Sequence, residues 1–186
     1  MIISKTDVRT QYDLDVVKST MTWAGKKVIG GSHSGNLKLG KGIFSFEDGN
    51  LLEGSFEVDM TSITNTDLTD AEYNGKLVGH LKADDFFNVA TYPTASFIIR
   101  HAAVVSVGKY HIIGDLTIKG ITNSINFPAV VTLQEESLIA EAKISVDRTR
   151  FNIKYGSNSF FDNLGDKAIS NNFDINLHLE AKRKES

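Results

Sequence analysis

Apolar and polar residues alternate with a period of two along much of the chain, in runs of β-strand length. In one run, Phe56, Val58 and Met60 alternate with Glu57 and Asp59. Strands of this kind have one apolar and one polar face, which is typical of antiparallel sheets. The predicted inward side chains of the other runs are Leu37, Leu39, Phe44, Phe46, Tyr110, Ile112, Gly114, Leu116, Ile118, Ile125, Phe127, Ala129, Val131, Leu133, Leu138, Ala140, Ala142, Ile144, Val146, Phe173, Ile175, Leu177 and Leu179.

Turn and helix signals lie between these runs. The segments Glu47-Asp48-Gly49-Asn50 and Lys119-Gly120-Ile121-Thr122 predict hairpin turns. One segment changes period: Thr69 begins a capping box that Glu72 completes. After it, apolar residues recur every four positions, which predicts a helix over about 70–82. The stripe consists of Tyr73, Leu77 and Leu81.

Many short strands with one inserted helix and no strand–helix–strand alternation predict an all-β domain. A sandwich and a barrel both fit the pattern, and closure into an eight-stranded antiparallel barrel has the advantage of removing exposed strand edges. Small residues at presumed inward positions leave room for a ligand, unless aromatic side chains of other strands fill it. These small residues are Gly35, Gly114, Ala129, Ala140 and Ala142.

Composition excludes several classes of protein. The chain has 186 residues and two prolines, which suits one domain over 1–186. A net charge of −3 with scattered basic residues predicts no nucleic-acid partner. There is no cysteine, hence no disulfide or thiolate site, and no apolar stretch predicts a transmembrane segment. As written the chain lacks a signal peptide, so we expect a cytoplasmic protein, or a periplasmic one if a leader was removed.

Candidate catalytic and metal-binding motifs are weak. None of the five histidines has ligand spacing, so we predict neither a metal site nor a resident cofactor. Ser32-His33-Ser34 and Ser157-Asn158-Ser159 lack the context of a nucleophile elbow, and we predict no catalytic residues and no enzyme. His33 begins a strand and is expected at the barrel mouth.

Four segments, in this order, resemble the YceI-like family of lipocalin-like, polyisoprenoid-binding bacterial proteins, from about His33 to Ala181. The most distinctive, 81–97, ends a helix in Leu-x-x-x-Asp-Phe-Phe and continues through Tyr-Pro into a strand. Segment 114–122 resembles the family's Gly-Asp-Leu-Thr-Ile hairpin. Segment 146–153 resembles its Arg-Ser-Asp-Phe-Gly-Ile motif with Arg150 and Asn152 as departures, and 173–181 is similar to its closing strand.

The resemblance implies a lipocalin-like barrel that holds a long isoprenoid-type lipid, such as a polyprenyl compound or isoprenoid quinone, as a carrier or storage protein. Two other functions stay open: an enzyme for a small apolar substrate that uses His33 or Arg148, and a structural or interaction domain with a filled barrel. A homodimer is also left open. The predicted ligand-binding residues are His33, Phe56, Val58, Met60, Phe86, Phe87, Phe97, Ile99, Ile112, Leu116, Phe127, Ala129, Val131, Ala142, Ile144, Arg148, Phe173, Ile175 and Leu177.

Three of these residues have a second interpretation. Phe86 and Phe87 either plug one end of the barrel or wall the ligand site, and we favour the plug. Arg148, together with Arg150, suits an anionic head group, because a guanidinium pairs well with phosphate. Salt bridges to Asp115, Asp147 or other surface carboxylates are the interpretation that we favour for both arginines.

Overall fold

The computed structural model describes residues 8–185, and its strands form one antiparallel sheet. Three short 3-10 helices lie at Met60–Ser62, Arg148–Phe151 and Gly165–Lys167, and helix α1 at Ala71–Lys82. The strands are β1 (Arg9–Leu14), β2 (Thr20–Lys27), β3 (Ser32–Glu47), β4 (Asn50–Asp59), β5 (Thr94–Ser106), β6 (Lys109–Ile118), β7 (Ile121–Leu133), β8 (Ser137–Asp147) and β9 (Ile169–Arg183).

The sheet closes on itself. Strand β3 pairs with β4 on one side and β2 on the other, and β2 pairs with β9, so that β2 to β9 form a ring of eight. Strand β1 pairs with the second half of β3 and with the end of β9, at residues 181–183. Both β1 and β2 therefore lie between β3 and β9, β1 at one end of the barrel and β2 at the other. This confirms the predicted eight-stranded antiparallel barrel.

Both predicted hairpin turns are present. Asp48 and Gly49 join β3 to β4, and Lys119 and Gly120 join β6 to β7. All four residues have φ between 50° and 81°. Two consecutive positive φ angles are the geometry of a type I′ turn, whose twist matches that of the flanking strands.

Helix α1 begins at Ala71, one residue later than a cap at Thr69 would give. Asp70, and not Thr69, is the N-cap: its carboxylate accepts hydrogen bonds from the amides of Glu72 and Tyr73. The apolar stripe is also only partly buried, since Tyr73 is 64% exposed whereas Leu81 is buried. The first turn of the helix extends into solvent, and the last turn packs on the barrel.

Strand β4 is one residue shorter than its alternation predicts. It ends at Asp59, whose carboxylate accepts from the Thr61 amide and begins a 3-10 turn at Met60. The Met60 side chain is nevertheless buried. The side-chain alternation therefore continues for one position beyond the strand's hydrogen bonds.

One end of the barrel is filled by its own side chains. Phe46 and Leu138 are each 1% exposed and pack with Tyr12, Tyr110 and Ala181. The Tyr12 hydroxyl lies 3.3 Å from two carbonyl oxygens of the β7–β8 turn, and the Tyr110 hydroxyl accepts from the amide of Leu51 at 3.3 Å. These aromatic residues close the barrel floor and satisfy its polar groups.

The two small glycines do not leave free volume, contrary to the sequence-based expectation. A Cβ atom at Gly35 would overlap the carbonyl oxygen of Thr64, and one at Gly114 would overlap the ring of Phe97. These glycines therefore permit close approach of a neighbouring segment and a ring. The small residues that do border open space are the three alanines.

Candidate functional site

The barrel encloses an apolar cavity of about 350 Å³. This volume lies within the usual range of small-molecule sites, roughly 300–1,000 Å³. Several side chains that point inward from the middle of the barrel are only half buried, because they border open space on one side. They include Met21, Phe97, Leu116, Ile125, Ala129, Ala142, Ile144 and Leu177.

The structure brings all the predicted ligand-binding residues to the wall of this one cavity. They converge because inward positions of eight paired strands face a common axis. Binding of a ligand by these residues stays a prediction. The residues are His33, Phe56, Val58, Met60, Phe86, Phe87, Phe97, Ile99, Ile112, Leu116, Phe127, Ala129, Val131, Ala142, Ile144, Arg148, Phe173, Ile175 and Leu177.

Other wall residues were outside the predicted set. Met21 and Trp23 alternate with Thr20 and Thr22 in β2, so the period-two rule was sufficient to find them. Ile63 follows a 3-10 turn, where no periodicity marks it. Further wall residues, including several that the alternation had placed inward without a site role, are Leu37, Leu39, Phe44, Leu51, Ala95, Ile118, Ile125, Ala140, Val146 and Leu179.

The mouth of the cavity lies at the end opposite the aromatic floor. Exposed Lys26 and Lys27 line it, together with half-buried His33 and Ser170. The last turns of α1 contribute the opposite side through Leu77, His80 and Leu81. The mouth is thus bounded by the β2–β3 hairpin and the start of β9 on one side and by α1 with its following loop on the other.

Phe86 and Phe87 narrow this mouth. Phe86 is buried beneath α1, with its ring 5.5 Å from His80 and the Arg148 guanidinium 5.8 Å above it. Phe87 is half buried and makes an edge contact with Phe173 at 6.2 Å. Both line the cavity, so Phe86 packs the barrel end while Phe87 walls the mouth.

The favoured salt-bridge interpretation is wrong for Arg148. Its side chain is 2% exposed and donates to the carbonyl oxygens of Ile153, Ile169 and Ser170 at 2.9–3.2 Å. Asp115 pairs instead with Arg100, at 2.7 Å. Burial lowers the pKa of the Arg148 guanidinium from its ordinary value. Arg148 therefore links the start of β9 to the segment after the 3-10 helix at Arg148–Phe151. It also borders the cavity.

Arg150 also departs from that interpretation. It is exposed, and its guanidinium lies 3.5 Å from the side-chain oxygen of Asn123 and 3.4 Å from the carbonyl of Ser124. Asn152, the other departure from the family motif, adopts φ 58° and ψ 32° as it ends the 3-10 turn. Asparagine tolerates this left-handed conformation better than most residues, so it can stand where the motif has glycine.

His33 at the mouth pairs with a carboxylate that is remote in the sequence. Its Nδ1 lies 2.8 Å from Oδ2 of Asp67. Partial burial acts to raise the pKa of Asp67, but hydrogen bonds from the Ser34 amide, His33 and Asn65 outweigh it and lower that pKa to about 2. The pair fixes the His33 ring against the segment that precedes α1.

Two other histidines also contact carboxylates. His80 Nε2 lies 3.1 Å from Asp85, and His178, on the outer surface, lies 3.2 Å from both Glu141 and Glu180. Among residues 8–185 no cluster of three or more such side chains has the arrangement of a metal site. In the same part of the chain, no helix combines the length and apolar character required to cross a bilayer.

The sequence profile of the YceI-like domain matches residues 12–181. A curated relative, the UPF0312 protein of Shewanella denitrificans, is 33% identical over 88 residues. That alignment covers 47% of this chain and 44% of the relative, so the chain matches less than half of its length.

Solved structures share the fold. BcnA of Burkholderia cenocepacia has a TM-score of 0.71 at 24% identity, covering 90% of this chain and 98% of its own. A polyisoprenoid binding domain from Saccharophagus degradans has a TM-score of 0.67 at 15% identity, with 93% and 98% covered. The YceI protein of Campylobacter jejuni has a TM-score of 0.58 at 21% identity, with 74% and 75% covered.

Proposed function

The chain belongs to the YceI-like domain family, and we propose that its barrel binds a long apolar molecule of the isoprenoid type, as a carrier or storage protein. The observation that carries this proposal is the apolar cavity of about 350 Å³ between the aromatic floor and the mouth. A barrel that served only as a structural domain would fill this space, because protein interiors are close-packed. The likeness to a polyisoprenoid binding domain supports the choice of ligand class.

The binding energy would come from removing the ligand tail from water. Burial contributes about 0.8 kcal/mol per methylene, so each five-carbon unit contributes roughly 3 kcal/mol before costs. Ordering a flexible tail and losing translational freedom offset much of this gain. Polar groups at the mouth, such as His33, Ser170 and Asn172, would meet the more polar end of the molecule.

The wall chemistry favours binding over catalysis. Arg148 uses its guanidinium on three main-chain carbonyls, and His33 is held by Asp67. In the described part of the chain no serine or threonine hydroxyl is hydrogen-bonded to His33. The Arg148 guanidinium is therefore committed to the fold, and His33 has its orienting carboxylate but no hydroxyl nucleophile bonded to it in this part of the chain.

Mass spectrometry of an organic extract tests the proposal. The protein is purified without detergent, washed, and extracted with chloroform and methanol. We expect an isoprenoid-type compound in an amount comparable to that of the protein. Extracts that contain no apolar compound, from protein produced in several hosts, would contradict the proposal. A parallel extract of an unrelated soluble protein from the same cells controls for carried-over lipid.

A further inference from the structure

Exposed apolar side chains lie on two loops beside the cavity mouth. Val28 and Ile29, at the β2–β3 turn, and Phe160 and Phe161, in the loop before β9, are between 47% and 66% exposed. We call these four residues the mouth rim. Exposed apolar groups that cluster at one site on a soluble fold mark an interaction surface.

The two loops of the rim are joined to each other. The Val28 amide donates to the carbonyl of Ala168 at 2.9 Å, and the Ile169 amide donates to Gly156 at 2.7 Å. The amides of Phe160 and Phe161 both donate to the carbonyl of Ser157. These bonds hold the two loops beside one another.

The rim is also continuous with the cavity wall. Lys26 and Lys27, directly before Val28, line the cavity, as does Ile169. Tyr155, in the second loop, packs 4.4 Å from the ring of His80, on the far side of the mouth. A surface that contacts the rim therefore also faces the cavity opening.

The rim carries positive charge on a negatively charged protein. Segments 26–31 and 154–167 contain four lysines and two aspartates, whereas the whole chain has a net charge of −3. None of the ion pairs within residues 8–185 involves these lysines. Across the mouth, the charges of Asp84 and Asp85 act on Lys119, and Asp85 also pairs with His80.

We infer that the mouth rim docks on an anionic lipid bilayer, with the cavity opening facing the membrane. The inference rests on the proposed function, because a ligand that is insoluble in water has to be collected from and delivered to a lipid phase. Aromatic and aliphatic side chains at a bilayer interface, together with lysines, are the combination by which proteins bind anionic membranes reversibly.

A second apolar site supplies the matched control. Val104, Val105 and Val107, at the β5–β6 turn, are more than half exposed, next to the closed end of the barrel. We call these residues the hairpin tip. The mouth rim and the hairpin tip offer comparable apolar side chains at opposite ends, so comparing them tests the orientation.

The experiment is cosedimentation with vesicles of phosphatidylcholine, alone or mixed equally with phosphatidylglycerol. We expect the wild type to bind the anionic vesicles at least about tenfold more strongly than the neutral ones. The double variant Ile29→Ser/Phe161→Ser should lose about tenfold in binding to the anionic vesicles, because its rim contributes less apolar surface. Val105→Ser/Val107→Ser should bind as the wild type does.

A second readout separates this inference from the proposed function. Trp23, the single tryptophan, lines the cavity, so its fluorescence reports binding of geranylgeraniol, a twenty-carbon isoprenoid alcohol, without vesicles. All three proteins should bind geranylgeraniol equally. Unchanged vesicle binding by the rim variant, or its loss in the tip variant, would overturn the docking inference while ligand binding stands. Failure to bind geranylgeraniol would count against the proposed function instead.

Discussion

Filling the cavity from one wall position should weaken ligand binding without unfolding the barrel. Ala142 lies on β8, half buried, with Ala129 of β7 and Leu177 of β9 beside it in register. All three residues line the cavity. The substitution Ala142→Phe would therefore place a benzyl group in the open space of the cavity. Lys143→Phe, at the next position and exposed on the outer face, is the matched control.

The size of the effect follows from the volume that the ring takes. A phenyl ring displaces roughly one five-carbon unit of an isoprenoid tail, which is worth about 3 kcal/mol before compensation. Because the displaced tail can shift and contact the ring, we expect about 10- to 100-fold weaker binding, at about 1.4 kcal/mol per tenfold change. The free energy of unfolding should be unchanged or higher by up to about 2 kcal/mol, since the ring becomes buried.

The assay is a titration with geranylgeraniol that follows the fluorescence of Trp23. Phenylalanine is used for the substitution so that Trp23 stays the only tryptophan. Urea unfolding measures stability on the same samples. Wild-type affinity in a folded Ala142→Phe protein would refute the reasoning, because the probe would then bind elsewhere. Equal losses in Ala142→Phe and Lys143→Phe would refute it too, since the effect would not depend on the inner face.

Three further predictions concern stability. Arg148→Lys should lower the free energy of unfolding in urea by about 2–4 kcal/mol, because one ammonium cannot reach three buried carbonyls; an unchanged value would contradict the structural role. Gly35→Ala should lower the free energy of unfolding by about 2 kcal/mol or more, because the added Cβ would overlap the backbone of Thr64. Gly79→Ala, on the exposed face of α1 with nothing within 4 Å of the added Cβ, should raise it by about 0.5–1 kcal/mol. Similar shifts in melting temperature for the two variants would refute the overlap. Hydrogen bonds to Glu180 and then Glu141 raise the pKa of His178, so its stabilising contribution is present below pH 6.5 and is lost as pH rises through the raised pKa. The melting temperature of His178→Gln should therefore lack the decline with rising pH that the wild type shows. The same pH profile in both proteins would refute this prediction.

The fold was predictable because its determinants are local. Alternation predicted which side chains of the strands face inward, and most of that set lines the cavity along β4, β6, β7, β8 and β9. Tyr110 and Leu138 pack in the floor instead, and Leu133 is exposed, contrary to the prediction. Turn chemistry at Asp48-Gly49 and Lys119-Gly120 indicated two hairpins, since the left-handed backbone of such turns favours glycine and, less strongly, aspartate. The eight-stranded closure needed the family resemblance, because a sandwich fits the same alternation.

The partners of the polar site residues were not predictable, because they depend on contacts between remote segments. His33 meets Asp67 across 34 positions, and Arg148 meets Ser170 across 22. No spacing rule connects such residues. The roles of Gly35 and Gly114 were misjudged for the same reason: a residue alternation shows which way a position faces, but not which chain segment occupies the space in front of it.

The most direct test of the account is an experimental structure of the protein purified without added ligand. We predict elongated density along the barrel axis, from the mouth at Phe87 and Phe173 to the floor near Leu51. A barrel whose inward side chains meet at the axis, or one whose interior holds only ordered water, would contradict the claim that the cavity exists to hold an apolar molecule.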